Sequence, residues 1–324
     1  YRTDPLCQAV ARAVDAGIVV VVAAGNYGAD ETGTRVYGGI LSPAIDPKVI
    51  TAGAVDTAGT DARSDDVVAP FSSRGPTLGC DGTSLESCDL LLKPDLVAPG
   101  VEIQGIVYPN NYLYTTFEQT HIEGNPSYFY LHGTSISAPV ISGAVALMLQ
   151  QNPSLSPNLV KALLEYTAIP IPDLGVLDQG AGAVNIAGAI SMARALRDDL
   201  NQVAAGAPML KQNETLPAPE TTIAGETWDW SELFFWEWRA ISGDAPFRTM
   251  QSPWLDSTDV WGGDLTYDEM LAAQDVLGIQ GASIEGADDD VSLTLQLAPP
   301  AGLNEAIVQA TATQPDAETL AETM

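Results

Sequence analysis

Apolar residues recur at Leu6, Ala9/Val10 and Ala13/Val14, the spacing of one helix face, and predict a helix over residues 5–16 that Gly17 stops. An unbroken apolar run at 18–24 follows at once and predicts a strand covered on both faces. Residues 48–55 and 96–98 predict two further short strands. A helix leading straight into a buried strand points to a parallel α/β sheet. Residues 134–150 predict a long helix whose small side chains (Ala138, Ser142, Gly143, Ala144, Ala146) suit close packing at a domain centre. Ser156-Pro157 reads as an N-cap followed by Pro at the first helical position, opening a helix to Thr167. An Ala-rich helix over 185–196 is the last regular pattern. Beyond it, Trp228/Trp230 and Trp236/Trp238 alternate as in strands with one apolar face.

Composition adds limits. A 46% hydrophobic content and mean hydropathy of +0.08 over 324 residues supply a packed core and exclude a wholly disordered acidic chain. Forty-two acids against 13 bases give a net charge of -29, which argues against a basic nucleic-acid-binding face. The longest apolar run has the length of a buried strand, so no membrane span is predicted. Residues 1–197 hold 19 acids and 10 bases; residues 198–324 hold 23 and 3, with all six Trp. Two regions are therefore predicted, 1–197 and an acidic extension, 198–324. Cys80 and Cys88 flank a polar loop and either close a small disulfide, favouring an oxidising compartment, or stand as two loop thiols. Cys7 falls in the apolar stripe of the first helix and reads as a small core residue.

The most informative stretch is Gly133-Thr134-Ser135-Ile136-Ser137-Ala138-Pro139. Gly permits a sharp turn, and Ser135 then opens a helix, its hydroxyl at the positive end of the dipole where developing negative charge is favoured. For an isolated G-T-S, a plain Ser/Thr N-cap is the simpler explanation. A second stretch changes that balance. Ala23-Ala24-Gly25-Asn26 ends a predicted buried strand and sets a side-chain amide at the carboxyl edge of the sheet, where open α/β sheets bind ligands. Together they supply a candidate nucleophile and a candidate oxyanion donor.

With these pieces the chain resembles the subtilisin-like serine peptidases, the subtilases. Further pieces follow in that family's order: Ser42-Pro43 with residues 49–55, Phe71-Ser72-Ser73-Arg74-Gly75-Pro76, residues 93–100, and Gly180-Ala181-Gly182-Ala183-Val184-Asn185. The resemblance covers residues 5–195. It implies a three-layer α/β fold with a parallel sheet, N-terminally truncated and followed by a Trp-rich acidic tail. It also implies Ser135 as nucleophile and Asn26 as the side-chain half of an oxyanion hole, the Ser135 N–H being the other half. Ala24, Gly25, Gly133 and Thr134 are then expected at the substrate site. No cofactor is required; Asp95, with carbonyls of Ala44, Asp46 and Val49, aligns with a weak calcium or sodium site of some relatives, against the plainer reading that Asp95 caps a turn before Leu96. Arg74 is expected to hold a loop by hydrogen bonds.

The chain departs from the family in its base. A subtilase places an Asp and a His ahead of the Asn and Ser, and the two histidines here, His121 and His132, follow Asn26. His132, three residues before Ser135, cannot serve it as base, and His121 sits in a polar loop. Asp4, before Pro5, reads as a helix start, and Asp15 lies near a helix end. The expectation is a fragment whose triad His and Asp lie upstream of Tyr1, inert by itself. Seven aromatics within 108–130 either line part of the substrate cleft or form a satellite core. In the extension, the Trp-Gly pair at Trp261 and the Asp288-Asp289-Asp290 run assign no function, and residues 311–324 read as a polar, mobile end.

Two functions from different classes remain. One is a serine endopeptidase, secreted or held at the cell surface, acting on protein or peptide substrates, with no nucleic-acid partner. The other is a non-catalytic subtilase scaffold with a binding or surface role. A nucleotide-binding α/β domain would need a Gly-rich phosphate loop after the first strand, and Gly25-Asn26-Tyr27-Gly28 is not one.

Overall fold

The computed structural model describes residues 1–79, 89–108, 111–117, 120–122, 124–236 and 239–255, and three strands within 279–313. The disulfide candidates Cys80 and Cys88, Trp238, Trp261, Asp288, Asp289 and residues 314–324 lie outside the described residues.

Helix α1 (Pro5–Asp15) starts where Asp4 accepts hydrogen bonds from Leu6 N and Cys7 N, at 2.7 and 3.1 Å. It leads into β1 (Val21–Ala23), which pairs in parallel with β2 (Ile50–Asp56) through Val21↔Ile50. Strand β3 (Val67–Val68) joins β2 antiparallel, and β4 (Leu96–Pro99) joins it parallel through Ala52↔Leu96. The predicted parallel sheet is present. Its first strand is shorter than expected and only half-buried, with Ile18 57% exposed, because among the described residues β1 pairs along one edge alone.

A second sheet rises from the end of β4: β5 (Ile103–Ile106), then α2 (Tyr112–Thr116), β6 (His121–Ile122) and β7 (Asn125–Leu131), in antiparallel order β5-β7-β6. Strand β7 turns at Gly133 into α3 (Thr134–Gln151), which packs on β1, β2 and β4. Ile141, Ala144, Val145 and Met148 form its buried side. The opposite side, with Pro139, Ser142, Gly143, Ala146 and Leu147, is apolar or small yet exposed. A helix apolar all round is ordinarily covered all round.

Helix α4 (Pro157–Thr167) is capped by Ser156, which accepts from Leu159 N, and all its residues after Pro157 are buried. The short α5 (Val176–Gln179) precedes α6 (Ile186–Ala195), capped by Asn185. Hairpins β8 (Glu220–Ile223) with β9 (Glu226–Asp229) and β10 (Leu233–Trp236) with β11 (Arg239–Ser242), then α7 (Ser252–Leu255), follow. The acid-rich composition beginning near residue 198 does not mark a break in packing. Leu200, Met209, Trp230, Phe234, Phe247 and Trp254 share one core with Leu159, Leu163, Tyr166 and Met192. Phe247 is its aromatic centre, edge-on to Tyr166 at 4.9 Å and stacked with Trp254 at 6.0 Å. Strands β12 (Ile279–Glu285), β13 (Asp290–Leu297) and β14 (Ala306–Thr313) form an antiparallel meander, so the expected mobile end begins in a strand at Thr311–Thr313. Among the described residues no helix is long and apolar enough to cross a membrane.

Polar contacts fasten the 200–255 segment to α4. The Ser231 hydroxyl donates to Glu165 O at 2.7 Å, and Phe235 N donates to Glu165 Oε2 at 2.8 Å. Glu165 is fully buried, and burial raises its carboxyl well above the ordinary value of 4.5. A carboxyl raised by folding contributes stability that is complete below that ordinary value and is lost as pH rises through the folded one. Glu165→Gln keeps an acceptor for Phe235 N without the ionisable group. Urea midpoints taken from about pH 4 to about pH 8 should fall less steeply for this variant than for the parent. Parallel curves would show that folding does not raise the Glu165 carboxyl.

Candidate active site

Two backbone turns bring the candidate residues together. Gly25 has φ +110°, and a Cβ there would stand 2.9 Å from both Leu41 Cγ and Ser73 Oγ, so only glycine carries β1 into the Asn26 turn. Gly133, at φ +129°, makes the corresponding turn from β7 into α3. Its N–H donates to Gly100 O at 2.9 Å, tying the turn to the end of β4. Ser137, one turn into the helix, donates its hydroxyl to Ala98 O at 2.9 Å.

Thr134 joins the two turns. Its N–H donates to Asn26 Oδ1 at 3.0 Å, and its hydroxyl lies 3.1 Å from the same oxygen. Gly25 N donates back to Thr134 Oγ1 at 3.1 Å. The amide of Asn26 is thereby oriented: the atom facing a backbone N–H must be the oxygen, which turns Nδ2 the other way. A side chain at Gly133 would have Asn26 Nδ2 at 3.4 Å and Ser135 N at 3.8 Å. The missing side chain thus leaves open the space beside Asn26 Nδ2 and Ser135 N, with Asn26 Oδ1 also at 3.7 Å. Ser135 is exposed beside it, and neither its N–H nor its Oγ meets a hydrogen-bond partner among the described residues. Ala24 differs from expectation. It is fully buried with Ile40 and Ala44, and so backs the site rather than lining it.

The loop behind Asn26 is braced. Tyr27 N donates to Ser73 Oγ at 3.0 Å, and Gly28 N to Phe71 O at 2.8 Å. Arg74, nearly fully buried, donates to the carbonyls of Gly28, Pro70 and Ser72 and pairs with Asp178 at 2.8 Å. Its loop-holding role was legible in the sequence; Asp178, 104 positions away, was not.

Neither histidine meets Ser135. His132 is exposed, its Nδ1 accepting from Glu102 N at 3.3 Å. His121 donates from Nε2 to Tyr114 O at 2.8 Å and stacks on the Tyr114 ring at 4.1 Å. Asp4 caps α1, and Asp15 pairs with Lys48 at 2.7 Å.

Asp95 was expected to ligate a cation or cap a turn, and its surroundings fit neither. Lys93 Nζ lies 2.8 Å from Oδ2 and Lys161 Nζ 2.9 Å from Oδ1, while Thr51 N also donates to Oδ2. The carbonyl of Val49, an expected ligand, accepts from both lysines at 3.0 and 3.2 Å, and Thr51 Oγ1 donates to that of Ala44. Oxygens already facing two ammonium groups do not suit a metal ion. Burial alone would raise the Asp95 carboxyl, but Lys161 and Lys93 hold it below its usual range; burial also brings Lys93 down to about 8. Removing one partner of such a pair leaves a charge uncompensated. Lys161→Met should cost about 3–5 kcal/mol in urea denaturation, and adding Asp95→Asn should recover part of it. A loss of under about 1 kcal/mol in the single variant would contradict this account.

A search of family models matches residues 1–205 to the subtilase family of peptidases. Serine protease AprX of Bacillus subtilis is 43% identical over 185 residues, which are 57% of this chain and 38% of that protein. Subtilisin DY of Bacillus licheniformis is 34% identical over 181 residues, 56% of this chain and 50% of that one. The chain thus spans half or less of these curated relatives. Among solved structures, fervidolysin from Fervidobacterium pennivorans is 28% identical, covering 57% of this chain and 24% of that one, with a TM-score of 0.40. With the family model matched over well over half its length, this chain belongs to the subtilase family.

Proposed function

We propose that the chain carries the nucleophile and oxyanion half of a serine endopeptidase site, and that the general base and its orienting carboxylate come from sequence outside these 324 residues. The observation that carries the reading is the open space at Gly133, close to Asn26 Nδ2 and Ser135 N and beside an exposed Ser135. Ser135 Oγ attacks the peptide carbonyl and gives its proton to the base. The oxygen becomes an oxyanion within reach of the two N–H donors, at the positive end of α3. The C–N bond then breaks, the leaving amine takes the proton, and water hydrolyses the acyl group from Ser135.

Two faces support an outside source for the base. The outer side of α3, from Pro139 to Leu147, is small or apolar yet exposed, and among the described residues β1 is paired along one edge alone; both are surfaces suited to a further part of a domain. Substrates are proteins or peptides, and the strongly acidic composition suits a protein working outside the cell. The commitment of both histidines elsewhere favours the other reading, a non-catalytic scaffold.

A fluorophosphonate probe on the full-length gene product separates the two. Labelling is expected at Ser135, lost in Ser135→Ala and much slower on the 324-residue chain alone. Absence of labelling in a folded full-length protein would leave only the scaffold. Asn26→Ala should lower kcat by about 10²–10³, the size known for this donor in subtilisin itself, with little change in KM.

A further inference from the structure

The sheet β5-β7-β6 is rooted at the nucleophile turn. Gly133 N bonds Gly100 O, and the register opens with Ile103↔Leu131, two residues from Gly133. Its two faces differ from the usual apolar-in, polar-out alternation. Val107 and Phe129 are buried, 3% and 4% exposed. The other face is apolar as well. Ile106 and Tyr108 are 80% and 81% exposed, and Ile106 stands opposite Tyr128. Gln104 opposite Tyr130 continues that face toward the site. Tyr112, 71% exposed, follows Asn111, whose N–H donates to Tyr108 O at 3.2 Å. Among the described residues Ile106, Tyr108 and Tyr112 stay largely uncovered, while Tyr128 and Tyr130 are half-buried. Exposed aromatic groupings of this kind mark binding surfaces rather than ordinary solvent faces.

We propose that this face is an exosite for unfolded polypeptide, holding a stretch of substrate rich in apolar and basic residues beside the scissile bond. This rests on the endopeptidase reading for the bond that is cut, but not for the binding itself. Continuity sets the location: Ile106 and Tyr108 lie three and five residues along β5 and its extension from Ile103, about 10–17 Å, the reach of three to five extended substrate residues. Charge sets the chemistry. From residue 94 to 160 the chain has no Lys or Arg, while Glu102 stands at the root of the sheet. An acidic segment finds no partner there, whereas Lys or Arg side chains meet carboxylate and aromatic faces. Tyr114, another candidate from the aromatic stretch, is excluded because its ring is taken by His121.

The test uses Ile106→Ser/Tyr108→Ser/Tyr112→Ser, positions exposed enough that folding should be unaffected, checked by an unchanged urea midpoint. Binding is read on the 324-residue chain by fluorescence anisotropy with a long labelled peptide of alternating apolar and Arg/Lys residues, and with its Glu-substituted counterpart. The parent should bind the basic peptide and discriminate against the acidic one, and the triple variant should bind it on the order of tenfold more weakly. Equal binding by parent and variant would overturn the proposal. So would a concentration-dependent dimer of the parent, abolished in the variant, since the face would then serve a second copy of the chain. In the full-length protein the triple variant should raise KM for a long unfolded substrate while leaving cleavage of a short chromogenic peptide and fluorophosphonate labelling unchanged. Failure of labelling in the parent would strike the endopeptidase reading alone, because anisotropy reports the exosite without turnover.

Discussion

Asp95 is a carboxylate with almost no access to water, and a charge in that position must be paired or neutralised. Its pairing reaches through much of the domain. Thr51 N ties it to β2, Lys93 and Lys161 carry its charge to the carbonyls of Pro47 and Val49, and Lys161 lies on α4. One turn along α4 from Lys161 is Glu165, whose carboxyl receives Phe235 N from the hairpin that covers the helix. Sheet, loop, helix and C-terminal segment are thus positioned around one small polar centre. Such a centre adds little net stability compared with an apolar core, but its geometry tolerates few alternatives.

The candidate site lies at the other end of the same sheet and obeys a different rule. Asn26 and Ser135 are exposed and the backbone that carries them is fixed, through two glycines with positive φ and the contacts of the buried Thr134. Asn26 can present Nδ2 to a substrate only because Oδ1 is already occupied. That is preorganisation in a simple form: the donor is aimed before any negative charge develops. The outer side of α3 belongs to the same account: it is small or apolar yet exposed, and a helix apolar all round is ordinarily covered all round.

Much of this was legible in the sequence because it depends on near neighbours. Asp4 and Ser156 cap the helices they precede, and Gly133 followed by Thr134-Ser135 turns a strand into a helix. The parallel sheet followed from a helix entering an apolar strand. The extent of β1 was misjudged because an apolar run does not reveal how many of its neighbours are present. The antiparallel sheet of β5, β6 and β7 was missed, since its aromatics carry no clear alternation until the strands are paired. The change of charge near residue 198 suggested a separate region, yet Trp230, Phe234 and Phe247 pack on α4. Surface charge and buried contacts are independent properties of one segment.

By itself the sequence determined the chemical groups at stake: a serine opening an apolar helix, an asparagine ending a strand, the glycines beside them and the family they mark. The tertiary structure alone decided what each group meets. Thr134 reaches Asn26 across 108 positions and selects the amide's orientation, and Lys161 reaches Asp95 from a helix that no local pattern connects with it. It also left Ile106, Tyr108 and Tyr112 in water while burying Phe129 beside them. The physical reason is the same in each case. Local pattern fixes backbone conformation, whereas hydrogen-bond partners, burial and charge pairing depend on residues that only the folded chain brings together.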